Sequence, residues 1–118
     1  MWVIDDSQIQ KISDAMRAEF EQRAFNYISK KLTELNVFFY EKWLGGLINS
    51  QMAKLIKWDI VDEKIALEFM WLSVNYDFVL TDDFDKQCSD IIMIQKDDES
   101  KIKMIIEYIK TEGYVSKY

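Results

Sequence analysis

The side chains in this sequence that could do chemistry are mainly carboxylates. They are densest in the segment 77–87, which holds Asp77, Asp82, Asp83 and Asp85. An EF-hand calcium loop counted from Asp83 would need a glycine where Cys88 stands and a bidentate glutamate where Ile94 stands. The spacing therefore predicts no metal site. It favours either a solvent-exposed loop or an acidic surface that faces a partner.

Two other residues are candidates for catalysis, Glu68 and Cys88. Glu68 interrupts the apolar stretch 63–76, where burial would raise the pKa of a carboxyl and make it a general acid or base. An exposed or lysine-paired glutamate is the favoured interpretation, because no second catalytic group lies nearby in sequence. Cys88 has no CxxC partner, and the chain has no histidine to activate it, so a packing thiol is predicted.

A third candidate is the aromatic cluster Phe38, Phe39, Tyr40 and Trp43. Aromatic rings can stack on bases, but only Lys42 accompanies them, and nucleic-acid binding needs several cations. Core packing is the favoured prediction for the cluster. An exposed protein-binding patch is the alternative, since aromatic residues are enriched at interface hot spots.

Charge and composition narrow the function further. The 118 residues carry 15 Lys plus Arg against 21 Asp plus Glu, a net charge of −6, which argues against a nucleic-acid partner. Without histidine, neither Ser-His-Asp catalysis nor a His-ligated zinc is available. The chain starts without a basic signal-peptide region and has no apolar run long enough to span a membrane. We therefore expect a protein of the bacterial cytoplasm that uses no cofactor and contacts no membrane.

The longest predicted element is a helix over residues 6–34. Asp5 and Gln8 form a capping box at its start, and Ile4 and Ile9 can form a hydrophobic staple. Apolar residues then recur every three or four positions, as expected for one buried helix face. These residues are Ile9, Ile12, Met16, Phe20, Ala24, Ile28, Leu32 and Leu35.

The remaining sequence predicts shorter helices. Residues 36–44 are a short helix or an extended stretch that ends at Gly45-Gly46, and a helix with Ile56 on its apolar side follows over 47–58. After a connection, Asp62 caps a helix over 63–76 that is apolar nearly all round and therefore central.

A short helix over 86–94 is expected to pack Ile91, Ile92 and Ile94, and a last helix ends at Gly113. The segment 97–100 supplies the cap of that last helix and the negative charge that its N-terminus favours. The prediction is an all-α single domain over residues 1–118, a bundle of five or six helices around the central one.

Several segments together resemble a family pattern. They are residues 2–8, Phe20 to Arg23, Leu47 to Met52, Trp58 to Glu63, Phe69, Tyr76 and the triplet Asp83-Phe84-Asp85. The pattern is similar to that of small helical proteins encoded beside toxin, PAAR and VgrG genes in type VI secretion loci of Gram-negative bacteria. Gln51 and Asp59 stand where that pattern has two glycines.

The resemblance implies a non-enzymatic accessory of a secreted antibacterial toxin. The expected function is that of an immunity protein, which binds the toxin and neutralises it. An adaptor or chaperone that loads the toxin onto the secretion spike is the alternative, and a small enzyme that uses Glu68 with the acidic segment is a remote third. A homodimer also stays open.

Acidic and aromatic residues together predict the surface that binds this partner. An acidic protein suits a basic toxin, because opposite potentials speed association and reject wrong partners. The predicted surface combines two acidic clusters with aromatic anchors, namely Asp82, Asp83, Asp85, Asp97, Asp98, Tyr76, Phe78 and Phe84. Alternatively these aspartates only cap helices and keep the domain soluble. In that case the 38–43 face is the next candidate.

Overall fold

The computed structural model describes residues 9–118, with side chains from residue 15 onward, and confirms the predicted all-α class. The elements are α1 (Ile9–Glu34), α2 (Glu41–Lys57), α3 (Glu63–Asn75), a 3-10 turn (Asp77–Leu80), α4 (Asp82–Met93) and α5 (Asp98–Thr111). The predicted cap at Asp5 and Gln8, with its Ile4–Ile9 contact, lies outside the described residues.

Helix α3 is central, as its apolar sequence predicts. It packs against α1, α2, the 3-10 turn and α5. One face of α1 lies against it and supplies Phe20, Ala24, Ile28 and Leu32 to a continuous core. Leu35, predicted on that face, is half-exposed because α1 ends before it.

Three helices end in a residue with left-handed backbone, which lets a chain without proline turn sharply. Asn36, Asp59 and Gly113 have φ values of 58°, 54° and 78° after α1, α2 and α5. At each end two N–H groups bond back to the last turn, as Ile60 does to the Leu55 carbonyl at 3.0 Å. This is the Schellman arrangement, in which glycine is usual. Asp59 therefore makes the turn for which the related pattern has a glycine.

Helix α2 begins at Glu41 and runs through Gly45 and Gly46, so the prediction that the two glycines end an element is wrong. A glycine inside a helix costs about 1 kcal/mol relative to alanine. The flanking Leu44 and Leu47 are buried in the core, and their burial outweighs that cost. Ile56, expected on the buried side of this helix, is 44% exposed.

The predicted acidic loop over 77–87 is also wrong, because this segment is a 3-10 turn followed by the first half of α4. The Thr81 hydroxyl accepts a hydrogen bond from the Phe84 N–H at 3.2 Å and caps α4. Acidic residues in a first helical turn are favoured by the helix dipole. Ile92 is buried, as predicted, whereas Ile91 and Ile94 are exposed. Ile91 lies about 100° round the helix from Ile92, and Ile94 is the C-cap residue after α4.

Candidate functional site

Of the three aromatic anchors predicted for the acidic surface, Phe84 is buried, and Tyr76 and Phe78 are partly buried against the core. Phe84 is fully buried, with its ring centroid 6.0 Å from that of Trp58 and 5.8 Å from that of Phe78. Phe78 stacks on Tyr114 at 4.7 Å, and Tyr76 packs half-buried against the core. The prediction of Phe84 as a partner contact is therefore wrong. These rings belong to an internal aromatic cluster that joins α4, α5 and the 3-10 turn.

Asp85 is also engaged inside the fold. Its carboxylate lies 3.0 Å from Nζ of Lys54, which is 8% exposed. Lys54 also donates to the Val79 carbonyl at 2.6 Å, and the neighbouring Gln51 donates to Ser73 Oγ at 2.9 Å. Gln51 thus links α2 to α3 at a position where glycine could not. The Asp85 carboxylate holds α4 against α2 rather than meeting a partner.

Asp97 and Asp98 accept backbone hydrogen bonds at the start of α5, from α5 itself and from the segment before α3. Asp97 accepts a hydrogen bond from the Ser100 N–H at 2.7 Å, as predicted for a cap, and this bond lowers the pKa of its carboxyl. Asp98 accepts from the Val61 and Asp62 N–H groups at 3.0 and 2.7 Å. Asp62 caps α3 through the Ile65 N–H, which confirms the predicted cap.

The two acidic clusters do not form one surface. Tyr108, ten residues after Asp98 in α5, has its ring 6.4 Å from that of Phe84 at the start of α4. Ten helical residues span about 15 Å, so the clusters lie at opposite ends of the α4–α5 pair. Of the predicted acidic residues, Asp82 and Asp83 are exposed on the first turn of α4, and Asp97 is exposed at the N-cap of α5.

Glu68 lies beside the second acidic cluster. It is half-buried in a cleft of about 390 Å³, lined by Asp62, Lys64, Ile65, Glu68, Asp97, Asp98 and Glu99. The carboxylates that line this cleft with Glu68 come from the second acidic cluster and from Asp62, and none comes from the segment 77–87. The carboxylates at its side are those that cap α3 and α5.

The aromatic patch, defined as Leu35, Phe38, Tyr40 and Trp43, is the largest apolar feature that the α1–α2 connection exposes. These side chains are 50%, 80%, 70% and 43% exposed, and the Phe38 and Tyr40 rings meet edge to face at 5.1 Å. Extended backbone before α2 explains the exposure, since successive side chains alternate between opposite sides. Phe39 points towards the core, as predicted. For Phe38, Tyr40 and Trp43 the core prediction is wrong, and the exposed alternative is the observed one.

Cys88 is a buried packing thiol, as predicted. Burial is the main cause that raises its pKa to about 11, with smaller contributions from the negative charges of Asp85 and Glu112. At neutral pH this sulfur is therefore protonated. A thiol in that state is a poor nucleophile.

The described residues contain no group of three or more acidic or cysteine side chains placed to hold a metal ion. Within the same part of the chain, no helix has both the length and the apolar character needed to cross a membrane. The aromatic patch and the carboxylates of Asp82 and Asp83 are exposed features of the surface. Comparison of the chain with family models, curated proteins and solved structures found no match.

Proposed function

We propose that this protein is a non-enzymatic accessory of a secreted antibacterial toxin, and that it acts in the bacterial cytoplasm as an immunity protein that binds and neutralises that toxin. The observation that carries the proposal is the aromatic patch. Single exposed apolar residues are ordinary on protein surfaces. Here four large ones occur between positions 35 and 43, and three of them are aromatic. Aromatic side chains supply much of the binding energy at interface hot spots.

The charge around the patch favours a basic partner. Glu34 and Glu41 are exposed beside it, with Lys42 between them and Trp43 and with Lys31 one turn before Leu35. Asp82 and Asp83 add exposed negative charge, and the whole chain carries −6. Such a field speeds association with a cationic surface. The proposed interface therefore has aromatic anchors with an acidic rim, and it meets a basic face of the toxin.

The adaptor role remains the alternative for the same patch. An adaptor would bind a loading region of the toxin and leave its activity intact. An immunity protein would cover or distort the active site. The resemblance to accessory proteins of type VI secretion loci supports both roles equally, so an experiment must separate them.

The test is co-expression with the toxin encoded by the adjoining gene in a bacterial host that lacks a secretion apparatus. We expect the wild-type protein to restore growth. The double variant Phe38→Ser/Tyr40→Ser should fail to do so. Ile94→Ser is the matched control, because Ile94 is 76% exposed but lies at the end of α4, and this variant should still rescue growth.

Three outcomes would decide the matter. Rescue that depends on the patch supports the immunity role. Co-purification of the two proteins without rescue would instead support the adaptor. If the protein neither restores growth nor co-purifies with the toxin, both roles are contradicted.

A further inference from the structure

Residues 114–118, which we name the strap, follow α5 and lie against the C-terminal end of α3. Their main partner is Asn75, whose side chain is 3% exposed. The Asn75 amide donates to the Trp71 carbonyl at 2.9 Å, which fixes its oxygen Oδ1 towards the strap. That oxygen accepts from the Tyr118 N–H at 3.0 Å and from the Ser116 hydroxyl. The Asn75 carbonyl accepts from the Lys117 N–H at 3.1 Å.

Three side chains of the strap make further contacts. Tyr114 stacks on Phe78 with ring centroids 4.7 Å apart and planes 16° from parallel. The Lys117 ammonium lies 2.7 Å from the Asp77 carboxylate. The Tyr118 ring lies 6.4 Å from that of Trp71. We name the surface that receives these groups the strap groove, formed by Trp71, Asn75, Asp77 and Phe78.

The groove offers hydrogen-bond acceptors to an occupant. Asn75 is 3% exposed with the strap in place, and its Oδ1 and carbonyl oxygens become available to other donors when the strap leaves. The strap is partly exposed, with Tyr114, Val115 and Tyr118 at 39%, 86% and 44%. Segments with few buried contacts open locally far more often than the whole protein unfolds. We therefore expect the strap to leave the groove while the rest of the fold stays intact.

We propose that the strap groove is a binding site for a partner protein's flexible segment that carries a lysine between hydroxyl and aromatic residues, and that the strap is its built-in competitor. In this proposal Asn75 accepts hydrogen bonds from the backbone and a hydroxyl of the partner segment, and Asp77 pairs with its lysine. Phe78 and Trp71 pack against its aromatic rings. A basic segment also suits the net charge of −6. No residue of this site belongs to the aromatic patch, so separate variants test the two proposals independently.

The test uses a fluorescent peptide with the sequence of residues 112–118 as a probe against the full chain. A tethered strap competes at an effective concentration of about millimolar. Weakening it in the double variant Lys117→Ala/Tyr118→Ala should therefore tighten probe binding at least tenfold relative to wild type, as measured by anisotropy. Adding Asp77→Asn to that double variant should weaken its binding of the probe severalfold. Asp82 is an exposed carboxylate outside the groove, so adding Asp82→Asn instead should leave the affinity for the probe unchanged.

Several results would overturn the proposal. The first such result is that wild type and the Lys117→Ala/Tyr118→Ala variant bind the probe equally, although circular dichroism shows that both are folded. Another is a stable dimer on light scattering, with probe binding lost, which would assign the groove to the strap of a second copy. If the strap variant does not fold, hydrogen exchange of the wild type decides. If the backbone amides of Lys117 and Tyr118 exchange only when the whole protein unfolds, the strap does not leave the groove and the proposal is contradicted. Faster exchange of these amides supports the proposal.

Discussion

Single carboxylates in this chain have different partners, and the partner decides which of them can meet another protein. Asp85 faces Lys54 in the interior, and Asp98 receives two backbone N–H groups. Asp82 and Asp83 stand exposed on the first turn of α4. Charge reversal as a test of partner binding is therefore informative only at the exposed pair, because at Asp85 it would also damage the fold.

The Asp85–Lys54 pair gives a prediction about stability. Asp85→Lys places two ammonium groups together in a mostly buried setting, and we expect it to lower the free energy of unfolding by about 2–4 kcal/mol. Asp82→Lys loses only a favourable contact with the helix dipole, which is worth less than about 1 kcal/mol. Urea denaturation of both variants checks this. Equal losses would show that the pair does not hold α4 in place.

The lowered pKa of Asp97 predicts a pH dependence with a definite sign. Folding favours its carboxylate through the Ser100 N–H, so its contribution to stability is complete above the ordinary pKa of 3.8. That contribution is lost as the pH falls through the lowered value in the folded protein. We expect the stability difference between wild type and Asp97→Asn to shrink below about pH 4. A constant difference from pH 2 to 7 would contradict this cause.

Burial of Cys88 predicts slow alkylation. With its pKa at about 11, only about one thiol in a thousand is ionised at pH 8, against about one in ten at the ordinary value of 9.0. Iodoacetamide should therefore modify the folded protein at least a hundredfold more slowly than the urea-unfolded chain. Mass spectrometry over time measures both rates. Similar rates would mean that the thiol is accessible.

At the scale of elements, long periodic patterns were predictable and short segments were not. The spacing of apolar residues in α1 and the apolar surround of α3 each repeat over several turns. The caps at Asp62 and Asp97 and the end at Gly113 follow from local backbone chemistry. In the segments 36–46 and 77–87, however, the local sequence favours loops, but helices form because they bury Leu44 and Phe84. That burial depends on the whole fold, so local sequence does not predict it.

Exposure of the aromatic residues 38, 40 and 43 was only the alternative interpretation of the sequence, for a related reason. Aromatic residues in a row predict a core when the backbone conformation is unknown. An extended stretch over 37–40 would have predicted alternation, with Phe38 and Tyr40 facing outward and Phe39 inward. That conformation follows from where α1 ends and α2 begins. Asn36, in left-handed backbone, was the local signal that could have located the turn.

Helix α2 carries a prediction of its own. A Cβ atom added at Gly45 or Gly46 meets nothing within 4 Å, and neither glycine has positive φ. Alanine should therefore raise the free energy of unfolding by about 0.5–1 kcal/mol at each site, because it lowers the entropy of the unfolded chain. Thermal unfolding of the two single variants is the measurement. Destabilisation by either one would mean that the outer face of α2 is tighter than the structure shows.

At the scale of the whole molecule, the aromatic patch and the cleft around Glu68 lie in different parts of the fold. The aromatic patch lies where α1 meets α2, and the cleft around Glu68 lies where α3 and α5 begin. Lys31, near the end of α1, lies 5.2 Å from the ring of Trp71 near the end of α3, which places the patch towards the opposite end of α3 from that cleft. The proposed interface at the patch therefore includes no residue of that cleft.

The proposed interface is tested by the affinity of the purified protein for its proposed toxin partner, measured by calorimetry. If the patch supplies the hot spots, Phe38→Ser/Tyr40→Ser should lose at least 2 kcal/mol of binding energy, which is about a thirtyfold weaker affinity. Ile94→Ser should bind like wild type. Asp82→Lys/Asp83→Lys should mainly slow association and reduce its dependence on salt. Unchanged affinity of a folded Phe38→Ser/Tyr40→Ser variant would contradict the account.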